Sequence, residues 1–333
     1  MGGKKLQLSL IMGANDRSRP VLDGAVEPGG IDLTCTVAHP SEIFWRQLHF
    51  QEFDISEMSL SSLLMAMAGG NRDWVGIPVF TSRRFFHTGI WVRADRGIEK
   101  PEDLKGKQVG VPEYQQTAAL WSRGVLKHEF GVDATDIEWW MERTPERSHG
   151  GATGFRPPEG VKFHQIPAEE NIGTMLMDGK LDATLLYLTD PNLVDRSRIR
   201  LEGNPQFRLL FPDQAAEGRR FFQKTGLFPI NHGMVVRRSI YEQHPWVALN
   251  IFNAFRLAKE RVNSRMRDLA QTHFDLGLLG GEARTALQVD AYPYGVKSNL
   301  KVLETVADYS HEQGLTPRRM QMDEVFAPST LDL

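Results

Sequence analysis

Strand-like and helical runs alternate along this chain, and that rhythm constrains its fold more than any other feature. Residues 6–12, 31–37 and 53–58 read as strands, and 41–51 as a helix opened by Pro40-Ser41. This is the βαβ pattern of a sheet covered by helices. Residues 61–68 form a short helix closed by Gly69-Gly70, and 74–80 and 88–92 add two more strands. From 101 to 112, Pro-Glu-Asp-Leu-Lys-Gly-Lys-Gln-Val-Gly-Val-Pro reads as a helical turn, a glycine turn, a strand and a stop. A helix over 117–130 follows, with Ala118, Trp121, Val125 and Leu126 near helical spacing and Gly131 as its C-terminal cap.

The helix-turn-strand unit recurs at 171–187, where Asp182 opens a strand as Asp54 opens an earlier one. Two such units imply two similar lobes, and 333 residues with 41% hydrophobic content suffice for two cores. Residues 144–158, rich in Gly, Pro, Arg and Ser, read as a surface loop or lid. A strand at 234–236, a long helix at 245–265 and a last helix at 301–313 complete the pattern.

A net charge of -3, with both signs interspersed, offers no polybasic field to nucleic acid or to an anionic membrane surface. Neither is expected as a partner. Cys35 is the single cysteine, so there is no disulfide framework and no cysteine metal site. Near the N-terminus, Gln7 and Ser9 interrupt the apolar run and Asn15-Asp16-Arg17 ends it. That suits a first strand better than a secretion signal, and a cytoplasmic protein is expected. No stretch is long and apolar enough to span a bilayer. Metal-ligand spacings and glycine-rich phosphate loops are also missing, so neither metal nor nucleotide cofactor is expected.

Residues 101–112 and Met177-Asp-Gly-Lys-Leu-Asp-Ala183 resemble the type II periplasmic solute-binding fold. The resemblance implies an α/β, two-lobed protein with a mixed sheet flanked by helices in each lobe and a ligand cleft between them. Lobe 1 would be discontinuous, 1–93 plus 234–333, and lobe 2 would be 94–233. A narrower resemblance runs through nearly the whole chain. It is carried by Asp16-Arg-Ser-Arg-Pro20, Phe53-Asp-Ile-Ser-Glu-Met-Ser-Leu-Ser-Ser62, Ile77-Pro-Val-Phe80, Val111-Pro-Glu-Tyr-Gln115, Gly226-Leu-Phe-Pro-Ile230, His244-Pro-Trp246 and His311-Glu-Gln-Gly314. Together these are similar to the 4,5-dihydroxyphthalate decarboxylase family. Residues 185–192 depart from the Arg-Pro-Pro text expected there.

That resemblance implies a cofactor-free carboxy-lyase of aromatic catabolism, turning 4,5-dihydroxyphthalate into 3,4-dihydroxybenzoate and carbon dioxide. A small aromatic carboxylate would be its ligand, and a homo-oligomer is expected from how commonly such enzymes associate. Two other functions fit the same cleft: a non-catalytic receptor for a small carboxylate, and another lyase or isomerase acting on a related hydroxylated aromatic acid.

Candidate site residues follow from position. Arg17 and Arg19 come directly after the first strand, where open α/β sheets place ligands, and a guanidinium matches a carboxylate; Asp16 could orient one of them. Ser59 and Ser61 flank a helix start, as anion donors or as ordinary caps. Arg83, Arg84 and Phe85 could hold an aromatic acid by charge and ring contact. Across the cleft, Glu113 is a candidate base, Tyr114 a ring contact and Thr117 an anion donor at a helix N-terminus. His232, at the second crossing between lobes, and His87 are the candidate proton donors, each with a plain structural alternative.

Overall fold

In a computed structural model describing residues 4–333, two sheets account for the alternation. The first holds β1 (Leu6–Met12), β2 (Ile31–Val37), β3 (Ile55–Ser59), β4 (Trp74–Arg83) and β11 (Ile230–Arg237), in the order β2-β1-β3-β11-β4. The second holds β5 (Trp91–Arg93), β6 (Gln108–Val111), β7 (Glu138–Met141), β8 (Lys162–Gln165), β9 (Ala183–Thr184) and β10 (Phe207–Leu209), in the order β10-β5-β9-β6-β7-β8. Both sheets are mixed. β1 is parallel to β2 and β3, whereas β11 runs antiparallel between β3 and β4.

The helices that matter below are α1 (Pro40–Phe50), α2 (Leu60–Ala68), α3 (Thr117–Phe130), α4 (Gln214–Thr225), α5 (Trp246–Asp275), α6 (Gly281–Ala286) and α7 (Leu300–Glu312). α2 is apolar on nearly every face because it is buried nearly all round. α3 presses on α7 at Gly124, where a Cβ would come within 2.2 Å of the Tyr309 ring, so any side chain there forces the helices apart. One continuous apolar core joins the two sheets through these helices.

The chain leaves the first sheet between Arg83 and Trp91 and returns between Thr225 and Ile230. Both changes fall a few residues before the expected boundaries. An apolar run announces a strand, but nothing in it names the sheet the strand joins. The 144–158 segment also differs from a surface loop: Ser148, His149, Gly150 and Thr153 are buried.

Candidate functional site

Strand register builds the heart of the site. His232 on β11 lies opposite Ser59 on β3, and Met234 lies opposite Glu57. Side chains two apart on a strand share a face, so His232 becomes the diagonal neighbour of Glu57. The Nδ1 of His232 is 2.8 Å from Glu57 Oε1, and its ring meets the edge of Phe44 at 4.7 Å between centroids. Register shifts beside β4 at 230–234 turn this stretch of β11, as bulges do near functional sites.

Glu57 is buried and accepts two further hydrogen bonds: Thr81 Oγ1 donates to it at 2.6 Å and Gly13 N at 2.7 Å. Burial alone pushes its carboxyl up; the hydrogen bond and charge of His232, with Thr81 and Gly13, outweigh that and hold it below the usual range. An ionised Glu57 fixes the His232 proton on Nδ1 and turns Nε2 to the cleft, where Asn231 Nδ2 stands 2.7 Å away.

A cavity of about 140 Å³ opens beside His232. His39, Phe44, Gln116, Thr117, Arg143, His149, Leu186 and Leu188 line it with Ser59 and Asn231. Its size matches the roughly 150 Å³ that takes one benzene-sized ring. Phe44 sits between the two histidines, edge-on to both.

On the opposite wall, the buried Arg143 guanidinium organises everything around it. Nε donates to Asp195 at 2.7 Å, Nη2 to Ser41 Oγ at 2.7 Å, and Nη1 to Glu113 Oε2 at 2.6 Å. Nη1 is also 2.7 Å from His149 Nε2, itself 2.9 Å from Glu113 Oε2. His149 Nε2 therefore has an N–H donor and a carboxylate acceptor in reach: neutral it accepts from Arg143, protonated it donates to Glu113. Arg143 has five N–H groups, so one on Nη2 has no partner among the described residues.

Gln116 supplies a second unmatched donor. Its side chain is 7% exposed, lines the cavity, and Nε2 has no hydrogen-bond partner among the described residues. It caps α3, whose first N–H groups, at Thr117 and Ala118, find no acceptor inside the helix. The residues that carry these three sources of N–H all line the one cavity, a set suited to an anion. Phe44, Leu186 and Leu188 add apolar lining. Leu186 holds φ 54, a left-handed conformation costly for a leucine, and such strain concentrates at functional sites.

Of the residues singled out in the sequence, His232, Ser59 and Thr117 line this cavity. Ser59 Oγ and Thr117 Oγ1 are bonded to each other at 2.9 Å across the cleft, and Ser61 donates from N to Thr117 Oγ1 and from Oγ to Gln115 O. These hydroxyls clasp one sheet's helix to the other's.

Glu113 needs correcting as a base. It is wholly buried behind Arg143; burial pushes its carboxyl up, but the charges of His149 and Arg143 prevail and hold it at about 2. Such a group keeps no useful proton affinity at neutral pH. Tyr114 is core rather than a substrate contact, packed against Trp139 and Phe155 with Arg123 over its ring. His87 lies outside the cavity, 3.0 Å from Glu217 on α4 and packed against Phe221. Phe85 stacks within the same apolar group on Phe228.

The arginines are corrected too. Arg17 covers the Tyr292 ring at 3.8 Å and donates to Thr81 O; Arg83 is buried, tying β4 to Phe228 O and Pro293 O. Asp16, Arg19 and Arg84 are exposed. None of the five lines the cavity. Sequence reasoning missed Arg143, His149, Gln116, His39 and the partnership of Glu57. The rule that chose Arg17 would have found Arg143, two residues past the end of β7, and Ser41 past the end of β2.

No family model matches the chain. It is 37% identical over 331 residues, 98% of either sequence, to a 4,5-dihydroxyphthalate decarboxylase of Comamonas testosteroni. A protein of the same name from Pseudomonas putida is 40% identical over 181 residues, 54% of this chain and 70% of that one. Among solved structures, the aliphatic sulphonate binding protein SsuA of Escherichia coli matches with TM-score 0.52 at 14% identity over the whole of both chains. The alkanesulfonate-binding protein SsuA of Xanthomonas axonopodis matches with TM-score 0.53 at 14% identity over 99% and 98%. The desulfurization enzyme DSZB matches with TM-score 0.50 at 15% identity over 98% of each. Receptors and an enzyme share this fold, so the fold by itself does not choose between them.

Proposed function

The chain belongs to the 4,5-dihydroxyphthalate decarboxylase family, and on that footing we propose that it removes one carboxylate from 4,5-dihydroxyphthalate, releasing carbon dioxide and 3,4-dihydroxybenzoate. The carrying observation is a full-length relationship to an enzyme of that name combined with a ring-sized cavity between two histidines. No helix among the described residues is long and apolar enough to cross a membrane. A cytoplasmic place accords with an enzyme of aromatic catabolism.

In this substrate each carboxylate stands para to a hydroxyl. Removing the hydroxyl proton pushes electron density onto the carboxylate-bearing ring carbon, which then takes a proton. The carbon–carboxylate bond breaks, its electron pair restores the aromatic ring, and the ring oxygen regains its proton. The net change is one proton in and one carbon dioxide out. His232, oriented by Glu57, gives the proton to carbon. His39, which lines the cavity, takes and returns the hydroxyl proton.

The grip falls on the carboxylate that stays. Gln116 Nε2, the N-terminus of α3 and the remaining Arg143 N–H bind that group, while the departing carboxylate, ortho to it, is left without a charged partner. Strong pairing of the departing group would stabilise the ground state, because its charge vanishes as carbon dioxide forms. Closure of the lobes excludes water around this pair of histidines.

The test is direct: chelator-treated protein is incubated with 4,5-dihydroxyphthalate, and carbon dioxide and 3,4-dihydroxybenzoate are followed. Equimolar formation of both supports the reading; tight binding without turnover returns the protein to the receptor class.

A further inference from the structure

Helix α5 leaves the body of the protein halfway along its length. Its first half is buried through Val247, Ile251, Phe255 and Lys259. At Lys259 the base of an arm is closed: Nζ donates to Tyr292 O at 2.7 Å and pairs with Asp290. Beyond that point residues 260–275 continue roughly 24 Å at 1.5 Å per residue, and the chain returns through α6. The return covers one face only, where Arg284 lies over the Phe274 ring at 4.2 Å and donates to Gln271.

The opposite face carries Val262, Met266, Leu269, His273 and Leu276, spaced by four, three, four and three residues. That is the seam spacing of a coiled coil. None of the described residues of the body covers it: Met266 is 46% exposed, Leu269 60% and Leu276 69%. A short helical hairpin with one bare apolar seam is poorly stable in water without a partner for that seam.

We infer that this arm pairs antiparallel with the same arm of a second copy of this chain, making a two-fold dimer. The seam is complementary to itself. Full overlap of residues 260–275 sets Met266 of each chain against Leu269 of the other, and Val262 against His273. Beside it, Arg265 meets Thr272 and Asn263 meets the small Ala270, so no like charges are opposed. Antiparallel pairing also holds the two bodies at opposite ends of the arms, and exposed Leu278, Leu279 and Val289 extend the apolar area toward the roughly 800 Å² per partner of a stable interface. No residue of the arm lines the His232 cavity, so pairing leaves the cleft accessible.

Sedimentation velocity on the full chain and on two charge variants tests this. Wild type should sediment as a dimer or a higher even multiple at about 10 µM, well inside the range of ordinary specific association. Leu269→Glu and Leu269→Lys should each halve that mass, and an equimolar mixture of the two should restore it, which a folding defect could not do. A monomeric wild type, an undiminished Leu269→Glu assembly, or a mixture that stays dissociated would each overturn the inference.

Discussion

Glu57 Oε1 and His232 Nδ1 stand 2.8 Å apart because His232 pairs with Ser59 across β3 and β11, which makes it the diagonal, same-face neighbour of Glu57. The carboxylate does not reach the cavity; it acts through the ring it orients. Glu57→Gln should keep the hydrogen bond's length but favour the wrong tautomer, lowering kcat by about 10²-fold with little change in substrate affinity. His232→Asn should lower kcat by about 10³-fold or more while binding persists. Single-turnover kinetics with parallel calorimetric titration separates the two effects, and loss of binding in either variant would contradict the assignment.

Gln116 offers an unusual combination. Its Nε2 is buried without a partner, which costs stability on the order of 1 kcal/mol or more, while a bound carboxylate would satisfy it. Gln116→Leu should therefore leave Tm unchanged or raise it, and weaken substrate binding by about tenfold. Thermal unfolding with and without 4,5-dihydroxyphthalate reads both. A fall in Tm with unaltered affinity would mean that the side chain serves packing alone.

Much of this architecture is written in the sequence, and the reason is local. Alternation fixes strands and helices, and the helix-turn-strand repeats around 101–130 and 171–187 fix two lobes. His232 and Thr117 are legible because each stands at the end of a strand or the start of a helix. Arg17 obeys the same rule yet turns aside onto Tyr292, since position at a strand end does not say which way a long side chain leans. His149 is illegible for the opposite reason: it lies in an aperiodic, glycine-rich segment that reads as surface but folds inward, where Gly150 N and Ser148 Oγ reach Glu113. Glu57 gave a signal that passed unused, an acidic residue inside an otherwise apolar strand, which is tolerable only with a partner.

His87→Asn and Arg19→Met provide the matching negative case. His87 is tied to Glu217 away from the cavity, and Arg19 is exposed. Both should stay within about twofold of wild type in kcat/KM, because neither side chain lines the cavity. Steady-state assays decide it, and a tenfold loss in either would place the substrate elsewhere.

Glu113 and Arg143 give the last prediction, on stability rather than turnover. The carboxyl is held at about 2 in the folded protein against 4.5 for an ordinary glutamate, with burial opposing the shift and His149 and Arg143 driving it. Because the folded value is depressed, the stabilisation is fully present above about pH 4.5 and disappears as pH falls toward 2. The gap corresponds to about 3 kcal/mol at neutral pH. Urea unfolding between pH 6 and pH 3 should show stability falling with acid, and Glu113→Gln should flatten that slope while lowering stability at pH 7 by about 3 kcal/mol, since it leaves Arg143 short of a buried counter-charge. Asp195, also held low by Arg143 once burial is outweighed, keeps a residual slope in the variant. An unchanged slope in Glu113→Gln would mean that the acid sensitivity of the fold originates outside this wall of the cleft.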